Sequence, residues 1–230
     1  MDDTPQEISS DVPIPQQDMS WVQSMIEGYR HRNFIAAQRA SHAVLGHLEV
    51  VGPPLPLDPE VLLQAAIILP GDRTQEGILV QSVAVAWEEI IRWLSQDPDF
   101  LFKISWRKLE ELIAGAYKRE GWSVTLTPRS GDRGRDIIAS RTDVGAICFY
   151  DQVKRYKPGH RVKADEVRAM LGVLDRDHNV SKAIVTTTSQ FAPGVFDELK
   201  SFMPYRLELK DRAQLLEWLQ QIRKSRGSWG

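Results

Sequence analysis

Residues 130–138 read SGDRGRDII and residues 151–157 read DQVKRYK. Asp132 and Asp136 flank Arg133, Gly134 and Arg135, and an apolar run follows at once. Aspartate and glycine favour turns, so Asp132 and Gly134 are read as turn residues, Asp132 bonding backbone groups across it. DIIAS after them reads as a strand, RTDVG as a turn and AICFYDQVK as the next strand. Side chains alternate faces along a strand. Gln152 and Lys154 therefore share one face, and Asp151 and Val153 the other. If the two strands pair as a hairpin, Asp136 lies near Gln152. A carboxylate, an amide oxygen and an ammonium then meet at one point. Mg²⁺ prefers oxygen ligands, keeps several waters and binds through one or two carboxylates plus a substrate phosphate. On this reading Asp136 is the main anionic ligand, and the Gln152 side-chain carbonyl and the Val153 main-chain carbonyl complete the protein share. Lys154 can orient water or neutralise charge building on a phosphate.

The flanking pattern supplies the scaffold. SWRKLEELIAGAYKREG, from Ser105, reads as a helix with Leu109, Leu112, Ile113 and Ala116 on one face, Ser105 as cap and Gly121 as stop. Glu110 shares a stripe with Trp106, Ile113 and Tyr117 and points partly inward, whereas Glu111 falls beside Lys108 and Lys118. WSVTLT alternates as a strand. A helix is predicted over 164–175, a short apolar strand at KAIVTTT, a helix from Pro193 through Phe202, a strand at YRLELK and a closing helix capped by Asp211. The order α-β-β-β-α-β-α-β-α predicts an α/β mixed central sheet flanked by helices.

The first hundred residues are different in kind. Residues 1–18 are rich in Pro, Gln, Asp and Ser and are expected to be a disordered tail. A helix is expected over 19–48, a loop at VGPPLPLDP, a short helix at Glu60–Ile68 and an amphipathic helix over 78–95, where Val80, Val83, Ala84, Trp87, Ile91 and Leu94 recur at helical spacing. Residues 1–100 hold 15 acidic residues against five arginines and no lysine; the rest of the chain holds 24 basic against 16 acidic residues. The basic half should attract a polyanion and the acidic half repel one. The split predicts a boundary near residue 100, with an acidic, mainly helical 19–100 region serving regulation, oligomerisation or recognition, and a catalytic domain over 101–230. Cys148 is the single cysteine, so no internal disulfide or cysteine-rich zinc site is available. No apolar leader or membrane-length run is seen, and a cytoplasmic protein with no membrane partner is expected.

Taken in order, LEELIAGAYKREGW, SGDRGRD, QVKRYK, KAIVTTTSQFAPGV and LELKDRAQLLEWL resemble the successive motifs of the Mrr-type restriction endonuclease catalytic domain, a branch of the PD-(D/E)xK nuclease superfamily. The resemblance runs from about residue 101 to 219. It implies a restriction-endonuclease-like fold and metal-dependent hydrolysis of DNA phosphodiester bonds, with Mg²⁺ as cofactor and Mn²⁺ able to substitute. It makes Asp136 the metal ligand, Gln152 the replacement for a second acidic ligand, Lys154 the catalytic lysine and Glu110 the helix carboxylate. Three positions depart from the family pattern. Arg133 stands where the family has a turn glycine, Leu109 where it has an aromatic, and Asp151 where it has an apolar residue. A lone buried carboxylate at 151 would be costly, so Asp151 is expected to be paired, exposed or drawn to the site by a bulge.

Beyond the third strand, Arg155, Lys157, Arg161 and Lys163 can hold phosphates beside the cut, as can Arg133 and Arg135, while Tyr156 can pack on a sugar or base. Restriction or defence against foreign or modified DNA is the leading reading. A recombination or repair nuclease of the junction-resolvase kind is the alternative, and a weakly catalytic DNA-binding or sensor module is the third. Double-strand cutting needs two sites, so a homodimer or larger homo-oligomer is expected, with a protein partner for the acidic region.

Overall fold

The computed structural model describes residues 59–128, 134–143 and 145–226. The predicted tail and the helix over 19–48 lie outside these residues, as do Asp132 and Arg133. All described residues fall in one of two compact units, Pro56–Gly230.

Helix α1 (Pro59–Gln64) leads into a hairpin of β1 (Ile68–Arg73) and β2 (Ile78–Val83), followed by α2 (Val85–Gln96). This corrects the predicted helix over 78–95, whose first six residues are strand. Ile78–Val83 reads ILVQSV, and Val80 and Val83 fit a helical period with Trp87 as well as they fit a strand. What decides is pairing: β2 has β1 on one side and β3 (Ser123–Leu126) on the other. The predicted helix at Glu60–Ile68 also ends early, at Gln64, because Ile68 opens β1. Pro70 is tolerated there because β1 is an edge strand, where one side of the ladder needs no donor.

Helix α3 (Trp106–Arg119) runs as expected. Ser105 occupies the cap position, although its side chain makes no capping hydrogen bond. The helix ends at Gly121, whose φ of +90° suits glycine; the Gly121 N–H donates to Lys118 O and the Trp122 N–H to Tyr117 O, both at 3.1 Å. The chain continues through β4 (Ile137–Arg141), β5 (Ile147–Lys154), β6 (Arg161–Val162), α4 (Ala164–Leu174), β7 (Lys182–Thr187), β8 (Gln190–Phe191), α5 (Val195–Leu199), β9 (Leu207–Lys210) and α6 (Arg212–Arg226).

The sheet has seven strands in the order β1-β2-β3-β4-β5-β7-β9. It is antiparallel from β1 to β5 and parallel from β5 through β9. Strands β6 and β8 form a separate parallel pair. Each face of the sheet buries a core. One gathers Trp87, Leu109, Ile113, Phe149, Val153 and Leu219 beneath α2, α3 and α6. The other gathers Tyr150, Val167, Met170, Val185 and Leu209 beneath α4 and α5. Residues 68–96 thus belong to the same sheet and core as residues beyond 100, and the charge boundary does not coincide with a structural one.

Trp87 shows how closely α2 is keyed to α3. Its indole N–H donates to Leu112 O at 2.8 Å, and its ring lies where a Cβ on Gly115 would come within 2.7 Å. Gly115→Ala is therefore expected to cost about 1–3 kcal/mol through overpacking, read as a lowered urea midpoint at unchanged slope.

Candidate active site

The approach to β4 is irregular, and the irregularity aims Asp136. Ile137 is the register partner of Asp151, yet the Asp136 N–H also donates to Asp151 O at 3.0 Å. Two consecutive residues thus face one residue of β5, a bulge-like step of the kind that redirects a side chain. The Asp136 carbonyl accepts from Thr127 N–H at 3.0 Å and from the Thr127 hydroxyl at 3.1 Å. So held, the buried Asp136 side chain accepts from the Val153 N–H through Oδ2 at 2.7 Å. That N–H belongs to the peptide joining Gln152 to Val153.

On β5 the predicted alternation holds. Lys154 O accepts from Thr188 N–H toward β7, so the main-chain groups of Val153 point the other way, toward β4 and Asp136. Gln152 packs its amide beside Gly134, whose φ is +79° and whose Cβ, if present, would lie 3.7 Å from Gln152 Nε2. Gln152 Oε1 is buried and makes no hydrogen bond among the described residues. An orphaned amide oxygen is costly unless something satisfies it, and a cation would. No cluster of three or more His, Cys, Asp or Glu side chains suited to a metal occurs among the described residues. A hard cation here would rest on the Asp136 carboxylate, the Gln152 amide oxygen and the Val153 carbonyl, a donor set that fits Mg²⁺ with water and phosphate completing its shell.

Lys154 ends β5. Its ammonium lies 3.8 Å from Glu166 Oε2, and the pair is largely shielded from solvent. Glu110 is buried on α3, with Oε2 accepting from Arg107 Nη1 at 2.8 Å. The same Nη1 donates to Thr127 O at 3.0 Å. Glu110 is thereby linked, through Arg107 and Thr127, to the backbone of Asp136. Arg107, Thr127 and Glu166 are contacts of the candidate residues that sequence reasoning missed. Only Glu166 left a signal, as a glutamate three residues after a helix cap.

Asp151 is the paired alternative of the three expected. It is fully buried on the face opposite Gln152, and its Oδ2 accepts from the Tyr117 hydroxyl at 2.8 Å and the Thr186 hydroxyl at 2.9 Å. Burial raises its pKa to about 6, against the pull of Lys210 and these two hydroxyls. Lys210 is buried as well, with Nζ 3.5 Å from the Tyr117 hydroxyl and 3.6 Å from the Trp218 ring centre, and burial lowers its pKa. Asp151 is thus held beneath the sheet through Oδ2, while its Oδ1 is buried and makes no hydrogen bond among the described residues.

The basic residues divide. Arg135 is buried: its guanidinium donates to the Tyr150 hydroxyl at 2.7 Å, pairs with Glu76 and lies 3.7 Å from Asp177. Arg155 donates to the carbonyls of Ile104 and Phe102, both at 2.7 Å. Both are internal ties, which corrects their expected presentation to phosphate. The Tyr156 hydroxyl donates to Glu166 and its ring stacks on His160 at 3.7 Å. Lys157, Arg161 and Lys163 are exposed. Thr187 and Thr188 bond the carbonyls of Lys154 and Tyr156, so the threonine run is largely spent on packing.

A seven-stranded mixed sheet covered by helices carries Asp136 at the entry to β4, and Gln152 and Lys154 on the adjacent β5. Residues 101–219 match the family model for the Mrr catalytic domain, described as restriction endonuclease, and the chain belongs to this family. The chain is also 25% identical over 142 residues to the uncharacterized protein y4cE of Sinorhizobium fredii (strain NBRC 101917 / NGR234), covering 61% of this chain and 36% of that protein. It spans, then, about a third of the length of this relative. Among solved structures it resembles the MspJI restriction endonuclease in complex with a 27-mer oligonucleotide (TM-score 0.39, 16% identity, 65% of this chain and 34% of that one). It also resembles the DNA modification-dependent restriction endonuclease AspBHI (TM-score 0.37, 16% identity, 70% of this chain and 44% of that one). No helix among the described residues is long and apolar enough to cross a membrane.

Removing Asp151 strands its buried partners. Asp151→Ala is expected to cost about 1–3 kcal/mol, the usual consequence of leaving buried donors unsatisfied. Adding Lys210→Met should recover part of that loss in urea unfolding. Independent, additive losses from the two substitutions would show that the groups are not coupled.

Proposed function

We propose that the chain is a divalent-metal-dependent endonuclease that hydrolyses DNA phosphodiester bonds, acting in restriction or defence against foreign or modified DNA. The observation that carries this reading is the Asp136 carboxylate bonded to the Val153 N–H, in the peptide that follows Gln152, whose Oε1 is buried without a hydrogen bond among the described residues, with Lys154 two residues on along the strand. Asp136, Gln152 Oε1 and the Val153 carbonyl would hold Mg²⁺, or Mn²⁺ in its place. Bound there, the ion supplies Lewis-acid polarisation of the phosphate and acidifies nearby water. A water oxygen forms the new bond to phosphorus as the bond to the leaving sugar oxygen breaks, and that oxygen ends as a hydroxyl. Lys154 offsets charge growing on the non-bridging oxygens. Glu110, clamped by Arg107, holds the helix side of the site in register with Asp136. Lys157, Arg161 and Lys163 grip flanking phosphates. We further propose that two copies act together for double-strand cutting, and that the acidic N-terminal residues engage a protein partner.

Cleavage of methylated and unmethylated plasmid with Mg²⁺ or Mn²⁺ tests the chemistry. Wild type is expected to cut at least one substrate. Asp136→Ala and Lys154→Ala should each lose roughly a hundredfold or more in rate while still binding DNA. Metal-independent rates, or no cutting by a wild type that binds DNA, would overturn the reading. The grip is tested by the salt dependence of binding. Lys157→Ala, Arg161→Ala and Lys163→Ala should each reduce the log–log slope by about 1. Arg155→Ala should instead lower the thermal midpoint, since its guanidinium serves the carbonyls of Ile104 and Phe102.

A further inference from the structure

A lysine that must meet a phosphate at a fixed point has an entropic problem. Its stem has four rotatable bonds, and most of that rotamer freedom is lost when it is held still. The backbone of Lys154 is already fixed, because its carbonyl accepts from the Thr187 hydroxyl at 2.9 Å and the Thr188 N–H at 3.1 Å. The ammonium has one carboxylate within ion-pair range among the described residues, Glu166 Oε2 at 3.8 Å.

Glu166 is itself held from several sides. It sits in the first turn of α4, where Oε1 accepts from the Lys163 N–H at 3.0 Å, and Oε2 accepts from the Tyr156 hydroxyl. Tyr156 is fixed in turn: its N–H donates to the Thr188 hydroxyl at 2.8 Å, its carbonyl accepts from that hydroxyl at 2.9 Å, and its ring stacks on His160. Burial would raise the Glu166 pKa, but the Lys163 N–H, the Tyr156 hydroxyl and the charges of Lys154 and His160 outweigh it, and the carboxyl titrates below its ordinary range. The pair is no ordinary surface contact. Side-chain exposures are 15% for Lys154 and 26% for Glu166, so solvent screening is reduced. A separation of 3.8 Å is also too long for a hydrogen bond. Glu166 therefore draws the ammonium toward the strand end without consuming its donors.

We propose that Glu166 is the positioning residue for Lys154: locked by the α4 cap and by Tyr156, it confines the ammonium to the end of β5 with its N–H groups available to a phosphate. The proposal rests on the nuclease reading above, and the tests separate the two. Glu166→Gln keeps one acceptor oxygen for the Lys163 N–H, turns the Tyr156 hydroxyl into the acceptor of its Nε2–H, and removes the charge. It should leave DNA affinity and thermal midpoint unchanged and lower the single-turnover cleavage rate by roughly tenfold or more. Glu166→Asp keeps the charge one methylene short and should recover part of the rate. In the metal-free, DNA-free protein, the Lys154 ¹⁵Nζ signal, assigned by its loss in Lys154→Arg, should show restricted motion in wild type and free-lysine behaviour in Glu166→Gln. A wild-type rate in Glu166→Gln, or an ammonium signal insensitive to it, would overturn the proposal. Absence of any cutting by wild type would overturn the nuclease reading instead, and the ammonium signal would still decide whether Glu166 restrains Lys154.

Discussion

One hydrogen bond, from the Val153 N–H to the Asp136 carboxylate at 2.7 Å, fixes the geometry on which the candidate site depends. It needs β4 to arrive at β5 with an extra residue, and the sheet enforces that arrival from both sides. Thr127 holds the Asp136 carbonyl from β3, and Asp151 O holds its N–H from β5. Arg107 then bonds Thr127 O with the same nitrogen that bonds Glu110, so α3 is registered against the same point. A carboxylate placed by three backbone contacts has little freedom left to lose when a cation arrives, which is the physical meaning of preorganisation.

Strand β5 carries opposite chemistry on its two faces. Gln152 and Lys154 face the candidate site, while Asp151, between Tyr150 and Gln152, faces a closed interior with Tyr117, Thr186 and Lys210. These last two come from β7 and β9, so side chains from three adjacent parallel strands meet in one buried cluster. Burial works against the charge of both Asp151 and Lys210, as their opposed pKa shifts show. Two hydroxyls and a cation offset the cost that a lone carboxylate would impose. The Asp151 Oδ2 bonds to Tyr117 and Thr186 exist in one strand register and are lost in a slipped one. The residue that departs most from the family pattern thus acts on the alignment of the parallel half of the sheet.

Strands β3, β4, β5, β7 and β9 were legible because their period and punctuation agree: alternation in WSVTLT, turn residues before Ile137 and after Arg141, a short apolar run at KAIVTTT; the two-residue pair β6 and β8 was not. The nearness of Asp136 to the Gln152 segment followed from hairpin pairing alone. The β1–β2 hairpin was not legible, since Val80, Val83 and Trp87 satisfy two periods at once and only a distant partner, β3, breaks the tie. Partnership between remote charges was equally hidden. Glu166 is readable as a helix-capping residue, but its approach to Lys154 depends on how α4 packs on the sheet. Arg135 and Arg155 look like neighbours of Lys157 in a charge count, yet one is committed to Glu76, Tyr150 and Asp177, and the other to two carbonyls about fifty residues away.

That commitment changes what the basic surface means. A guanidinium presents a rigid fork of five donors and is weakly hydrated, so it suits bridging carbonyls and carboxylates inside a fold, whereas an ammonium is strongly hydrated and is cheaper to leave in water. Near the site the division follows this chemistry: Arg107, Arg135 and Arg155 are spent on the scaffold, and Lys157 and Lys163 stand exposed with Arg161. The excess of basic residues beyond position 100 therefore overstates the charge offered to a polyanion. Directly after the strand that ends in Lys154, the exposed cations are Lys157, Arg161 and Lys163. On the proposed reading, a phosphate backbone drawn to these three cations is led along β5 toward Lys154 and Asp136, and the direction of approach is set by which cations the fold has left unpaired.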